Sequence, residues 1–322
     1  MDLVAEARAA DARIRPHARE TPLVEASWLG VEDGTGVRLK LETLQVTGSF
    51  KFRGALNKLL TIPEAERARG VVAASTGNHG AAVARAASLL GVPAKVFVPE
   101  SAAEPKLARI AANGAEIERV PGDPINGERA ARAHADANGL PYVSPYNDPQ
   151  IVAGQATVGL EIARQSGAAP DAVFIPLGGG GLSAGTALAL KSVWPAAHVV
   201  ACSPSNSAVM MRSVEAGEVL DLDSEPTISD GTAGGVEAGA ITFELCREFL
   251  DEYVEVPEEE IAPALRVTVE RELLLAEGSA AVAVAGYLQL AERYRGARDV
   301  VIVLSGANIA TKTLVGVLSG EA

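Results

Sequence analysis

Apolar positions along the chain follow two periods that take turns. Residues 2–14 carry the three- and four-residue spacing of an amphipathic helix. Thr21-Pro22-Leu23-Val24 reads as an extended entry, and Val37-Arg38-Leu39-Lys40-Leu41 alternates as a strand does. Residues 50–60 predict a helix that ends before Pro63. Buried strands are predicted at 70–74, 94–98 and 116–120, with Tyr142-Val143 as a further strand. Helices fill the gaps at 80–90, 104–113 and 127–138, each closed by a glycine or an Asn-Gly pair. A second run predicts strands at 171–177, 198–202, 253–256 and 299–304. Its helices are predicted at 153–166, 182–193, 207–216, 240–250, 258–274 and 279–294.

Strands alternating with helices in this way build a parallel sheet with crossover helices. The two runs predict two α/β halves with a cleft between them, where such sheets bind ligands. The turn-rich segment Ser144-Pro145-Tyr146-Asn147-Asp148-Pro149 is placed as the hinge. No low-complexity stretch, internal repeat or charge block interrupts the chain.

Composition narrows the function by exclusion. A chain of 322 residues, 48% hydrophobic, suits a globular protein of two domains. A formal net charge of -13 argues against nucleic acid as a partner, because phosphate backbones need clustered cations. The only two cysteines, Cys202 and Cys246, lie in apolar segments and form no Cys-x-x-Cys pair. They predict reduced thiols in a cytoplasmic protein. The acidic start, Met1-Asp2-Leu3-Val4-Ala5-Glu6, does not read as a signal peptide. No apolar run approaches the roughly 20 residues that span a bilayer, so no membrane partner is expected.

Candidate chemistry begins with Gln45-Val46-Thr47-Gly48-Ser49-Phe50-Lys51-Phe52-Arg53-Gly54-Ala55. Lys51 stands between two phenylalanines after a Thr-Gly-Ser turn. Burial disfavours an ammonium, and the neutral amine can attack an aldehyde. Lys51 is therefore the candidate Schiff-base lysine of a pyridoxal-phosphate enzyme. Alternatively, it is a helix-start lysine with its stem on apolar surface and its head in water.

Three further segments carry complementary groups. Gly178-Gly179-Gly180-Gly181-Leu182 sits between a strand and a helix. Four glycines let backbone N–H groups converge at the positive end of a helix dipole, which makes an anion site. The run lacks both the P-loop ending and the dinucleotide spacing, so a compact terminal phosphate fits better, with a plain tight turn as the alternative. In Ser75-Thr76-Gly77-Asn78-His79-Gly80 the polar side chains cap a helix, or they grip a substrate carboxylate while Asn78 donates to a phenolate-like oxygen. His79 alone reads more readily as structural. Ser305, in Ser305-Gly306-Ala307-Asn308, ends a buried strand where ligands bind and offers its hydroxyl to a heteroaromatic nitrogen, or it makes a turn.

Taken together, these segments resemble the fold-type II pyridoxal-phosphate enzymes, in the branch of threonine and serine dehydratases and serine racemase. Val152-Ala153-Gly154-Gln155 and Thr227-Ile228-Ser229-Asp230-Gly231 match as well, and the likeness spans about residues 15–310. The resemblance implies two open, mostly parallel sheets with helices on both faces, as in the tryptophan synthase β chain. It implies a large cofactor-binding domain of residues 1–68 and 148–322 and a small substrate-side domain of 69–147. It implies that Lys51 carries pyridoxal 5'-phosphate, that Phe50 packs on its ring and that Asn78 bonds its phenolic oxygen. Gly178, Gly179, Gly180, Gly181 and Leu182 would cradle the phosphate, and Ser305 would face the pyridine nitrogen. Ser75, Thr76 and His79 would line the substrate carboxylate site. Glu277 matches a family glutamate near the cofactor, although a helix-end carboxylate is the simpler reading. A homodimer is implied too.

A neutral serine at the pyridine nitrogen makes a weaker electron sink, which favours prompt loss of a β-substituent. The expected reaction is dehydration and deamination of L-threonine or L-serine to a 2-oxo acid and ammonia. Another β-hydroxy amino acid (3-hydroxyaspartate, phenylserine or a hydroxyectoine-derived diamino acid) is the alternative, as are racemisation and, outside enzymes, a phosphate-ligand binding protein. The wording around Asn78 also resembles hydroxyectoine-utilisation dehydratases. Tyr146, Thr232 and Ala233 are candidates for the substrate pocket.

Three departures from the family matter. Its divalent-cation positions fall on Ser203, Ser207 and Val209, and valine cannot ligate, so no metal is expected there. The racemase's opposite-face serine falls on Thr76, which keeps the hydroxyl as a candidate catalytic group and adds a methyl. The chain ends soon after Asn308, and isoleucine feedback through a regulatory domain is not expected.

Overall fold

Parallel strands buried on both faces read as continuous apolar runs, and three such runs form the spine of the protein. The computed structural model describes residues 1–122 and 124–321. In chain order its strands are β1 (Leu23–Glu25), β2 (Val37–Leu41), β3 (Val71–Ala74), β4 (Ala94–Pro99) and β5 (Glu116–Val120), then β6 (Ala172–Pro176), β7 (Val199–Pro204), β8 (Glu252–Val256) and β9 (Val300–Leu304). One six-stranded sheet has the order β1-β2-β9-β6-β7-β8, parallel except for β1 at its edge. A separate three-stranded sheet, β3-β4-β5, is fully parallel. The expected α/β class with two mostly parallel sheets is what the chain adopts.

Alternation along the strands divides the large core between two faces. Phe174, Val200 and Ile302 point to one face and pack with the largely apolar helix Gly278–Leu290. Val173, Ile175, Val301 and Val303 point to the other and pack with the helix Gly181–Val193. The small sheet packs through Val71 and Ala73 on the helices Lys51–Thr61 and Asn78–Leu90. Its outer strand β5 is edged by exposed Glu116 and Glu118, which deter further strand pairing.

Some boundaries differ from the sequence expectation for local reasons. Tyr142-Val143 forms a single bridge to Val72 rather than a strand. Prolines on both sides, Pro141 and Pro145, donate no ladder hydrogen bond. The helix expected from 153 starts at Pro149, because the Asp148 carboxylate accepts from Gln150 N and Ile151 N and Pro149 takes the first helical position. The helix expected to run to 274 ends at Glu270, and Leu273 then adopts a left-handed φ of 58°. A further helix, Thr311–Ser319, closes the described chain.

The strands deliver the candidate segments to corresponding ends. β3 runs into Ser75, β6 into the glycine loop and β9 into Ser305, each at a carboxyl end, where open α/β sheets bind ligands.

Candidate active site

Lys51 is fixed by a short zipper between two loops. Ser49 bridges Gly306, Phe50 N donates to Ser305 O at 3.1 Å, and Ala307 N donates to Gly48 O at 2.9 Å. Gly48 holds a left-handed φ of 74° against the Asn308 side chain, a conformation that favours glycine. The zipper ends at Phe50, and Lys51 opens the helix whose Phe52, Leu56 and Leu59 enter the core. The Lys51 Nζ donates to Pro145 O at 2.8 Å and lies 5.2 Å from the Phe50 ring centre. Burial lowers its pKa from 10.5 to about 8, against an opposing pull from Glu277. An amine so covered is a competent nucleophile near neutral pH.

The glycine loop faces the same segment. Gly180, at φ 85°, caps the helix Gly181–Val193, so the loop lies at that helix's positive end. A Cβ at Gly178 would sit 2.7 Å from Thr232 O, and one at Gly179 would sit 2.5 Å from the Tyr146 ring. Tyr146 follows the carbonyl that holds Lys51, so one short stretch borders both the amine and the anion loop. The Tyr146 hydroxyl accepts from Glu237 N at 2.8 Å, and Asn147 bonds Glu237 and Ile241 N.

A buried carboxylate joins the two sheets. Glu277 accepts from Asn78 Nδ2 at 2.7 Å and from Asn308 N at 2.9 Å, and Asn308 Nδ2 donates to Asn78 Oδ1 at 2.6 Å. Burial, aided by the charge of Asp230, raises the Glu277 pKa to about 7, although Asn78 and Asn308 pull it down. Arg109 donates to Asn308 Oδ1 at 2.5 Å and Lys106 pairs with Asp230 at 2.6 Å, which brings two cations to the edge of this network.

The structure brings Phe50, Lys51, Asn78, Gly178 to Leu182 and Ser305 into this one neighbourhood. Ser75 and Thr76 are partly exposed in the turn before the Asn78 helix, with Ser75 Oγ accepting from Gly77 N at 3.1 Å. His79 is buried, its Nε2 donates to Val143 O at 2.8 Å, and burial with the nearby Lys51 charge depresses its pKa to about 3. A neutral His79 with that ring nitrogen committed serves the turn's architecture.

The metal positions carry other contacts. Ser203 Oγ donates to Leu177 O, Ser207 Oγ pairs with Ser224 Oγ, and Val209 is core. Among the described residues no group of three or more histidine, cysteine, aspartate or glutamate side chains could hold a metal ion.

The residues suit pyridoxal phosphate. The amine is covered, the anion loop is stripped of side chains, and Ser49 Oγ and Thr47 Oγ1, in the segment that leads to Lys51, are buried without a protein partner. Sequence reasoning missed the Pro145 carbonyl, Glu237, Asn308 and Arg109. Only Asn308 carried a signal, since it ends the quoted Ser-Gly-Ala-Asn segment.

Comparison with known proteins identifies the family. A family model described as pyridoxal-phosphate dependent enzyme matches residues 14–306. L-threonine ammonia-lyase of Thermotoga maritima is 40% identical over 291 residues, 90% of this chain and 71% of the relative. L-threo-3-hydroxyaspartate ammonia-lyase of Saccharomyces cerevisiae is 34% identical over 309 residues, 96% and 94% of the two chains. The processed form of threonine deaminase isoform 2 from Solanum lycopersicum superposes with a TM-score of 0.93 at 32% identity, covering 99% of this chain and 93% of that one.

Proposed function

The chain belongs to the pyridoxal-phosphate dependent enzymes, and on that premise we propose that it dehydrates and deaminates L-threonine or L-serine, with Lys51 as cofactor lysine and base. The observation that carries this is the Lys51 amine, covered by Phe50, lowered to about 8 and bordered by the segment that also walls the glycine loop.

The cofactor, when bound, supplies an electron sink that weakens the bonds at the substrate's α- and β-carbons. The chain supplies the rest. Backbone N–H groups of Gly178 to Leu182, at the positive end of a helix, hold the phosphate. Asn78, itself fixed by Glu277 and Asn308, orients the ring through its phenolic oxygen. Phe50 would pack against the ring. Ser305 would offer a neutral hydroxyl to the ring nitrogen, which a hydroxyl would not keep protonated, and that would favour elimination over transamination. Ser75, Thr76 and the turn amides receive the substrate carboxylate, on a small domain of residues 69–147. Lys51 would hold the cofactor through its amine, and the same Nζ, when uncharged and free, would accept the substrate's α-proton. We take the enzyme to act in the cytoplasm as a homodimer. Buried thiols at Cys202 and Cys246 support the first, and exposed Trp28, Leu273 and Leu275 support the second.

A second reading, 3-hydroxyaspartate as substrate, draws support from the yeast relative and from Lys106 and Arg109 beside Asp230 and Asn308. A panel of L-threonine, L-serine, 3-hydroxyaspartate and phenylserine, assayed by 2-oxo-acid release, tests the proposal. The highest kcat/KM is expected on threonine or serine. A maximum on 3-hydroxyaspartate would select the second reading, and no turnover on any would overturn both.

A further inference from the structure

Two positions after the candidate lysine, Arg53 is fully buried, as are its partners Glu42 and Glu161. Arg53 forks onto both carboxylates. Nε and Nη2 donate to Glu42 Oε2 and Oε1, each at 2.8 Å. Nη1 and Nη2 donate to Glu161 Oε1 and Oε2, each at 2.7 Å. Thr157 Oγ1 accepts a further bond from Nη1 at 3.1 Å. Buried Lys40 and half-buried Arg15 also reach Glu161, at 2.6 and 2.9 Å, and Thr21 Oγ1 donates to Glu42 at 2.5 Å. None of these groups touches the reacting centre.

A buried ionic cluster is weak evidence of stabilisation. Buried ion pairs lose much of their Coulomb gain to desolvation, and well-packed apolar side chains often replace them without loss. Paired forks do fix geometry, since a planar guanidinium meets two carboxylates only in set orientations. The elements they join are informative. Glu42 opens the turn Glu42–Leu44, which leads directly into the Gln45 to Phe50 approach. Glu161 lies on the helix Pro149–Ser166, whose cap Asp148 ends the segment that receives the Lys51 amine and walls Gly179. The two helices touch at their backbones: a Cβ at Gly154 would lie 2.6 Å from Gly54 Cα.

We propose that Arg53 is a positioning residue. By clamping Glu42 on one side and Glu161 on the other, it sets the rotation of the Lys51 helix and so holds the Lys51 amine in register with the Pro145 carbonyl and the glycine loop. A small rotation of that helix would move the amine away from the Pro145 carbonyl, which accepts from it at 2.8 Å.

The inference rests on Lys51 being the cofactor lysine. Borohydride reduction of the wild-type holoenzyme, followed by peptide mass spectrometry, checks that separately and should mark Lys51. The test itself is Arg53→Lys, which keeps the charge and loses the forks. Three quantities are read besides melting temperature: the dissociation constant for pyridoxal phosphate, the visible circular dichroism per bound cofactor, and kcat against KM. Positioning predicts altered ellipticity, about tenfold or greater loss of kcat and less than threefold change in KM. The milder Glu42→Gln should move the same readouts in the same direction, and it decides the matter if Arg53→Lys does not fold. A variant that melts earlier but keeps wild-type ellipticity, cofactor affinity and kcat would overturn the proposal.

Discussion

Asn78 and Glu277, 199 positions apart, meet through a hydrogen bond of 2.7 Å from Asn78 Nδ2 to Glu277 Oε1. The bond ties the turn after the first strand of the small sheet to the start of a core helix on the large one. Its carboxylate carries a pKa raised from 4.5 to about 7, chiefly by burial. Ionising Glu277 is therefore harder in the folded protein than in the unfolded chain. The resulting cost is absent below 4.5, grows with pH and is complete above about 7. Glu277→Gln removes that titration. In cofactor-free protein, urea unfolding should show the variant gaining stability relative to wild type across this window, by on the order of 3 kcal/mol. A difference that stays flat with pH would contradict the assignment.

Lys51 loses its proton at a lower pH than a surface lysine. With its pKa lowered from 10.5 to about 8, the neutral amine appears two to three units earlier than in a free side chain. The rate at which cofactor-free protein captures pyridoxal phosphate should rise through a midpoint near 8, and a midpoint near 10.5 would refute the burial argument. Lys51→Ala should abolish borohydride-stable labelling. It should also lower 2-oxo-acid formation by at least about 10²- to 10⁴-fold, the range for removing a positioned proton-transfer group.

Gly179→Ala places a methyl 2.5 Å from the Tyr146 ring. Overpacking of this kind costs about 1–3 kcal/mol, and cofactor affinity should fall with it. Tyr146→Ala in the same chain opens the space. A double-mutant cycle on unfolding free energy should therefore show coupling of about 1 kcal/mol or more. Simple additivity would mean that the loop yields elsewhere.

Chelation should leave the protein unchanged. Ser203 and Ser207 spend their hydroxyls on Leu177 O and Ser224, and Val209 is buried. EDTA is expected to shift the melting temperature by no more than the scatter of the measurement. A loss of several degrees would reveal a cation site elsewhere.

The parts of the site that were legible are those where backbone chemistry restricts the residue type. Glycines at 178 to 181 are read directly, because only glycine leaves amides bare where Thr232 and Tyr146 approach. Lys51 between aromatic residues signals burial of an amine. Asn78 and Ser305 are read from their places at strand ends. The Pro145 carbonyl is different, since every residue has one. Its selection as the partner of Lys51 depends on where the hinge segment lies in space.

Periodicity and backbone tolerance are local properties, so the alternation of strands and helices, the glycine loop and the lysine can be read along the chain before it folds. Tertiary structure alone decided that His79 is neutral and committed to Val143. It decided that Glu277 holds Asn78 and Asn308 together. It also decided that Arg53 clamps Glu42 and Glu161 behind the lysine. Those outcomes rest on desolvation and on partners up to 199 residues away. Charge states and long-range hydrogen bonds are set by surroundings that exist only once the chain has folded.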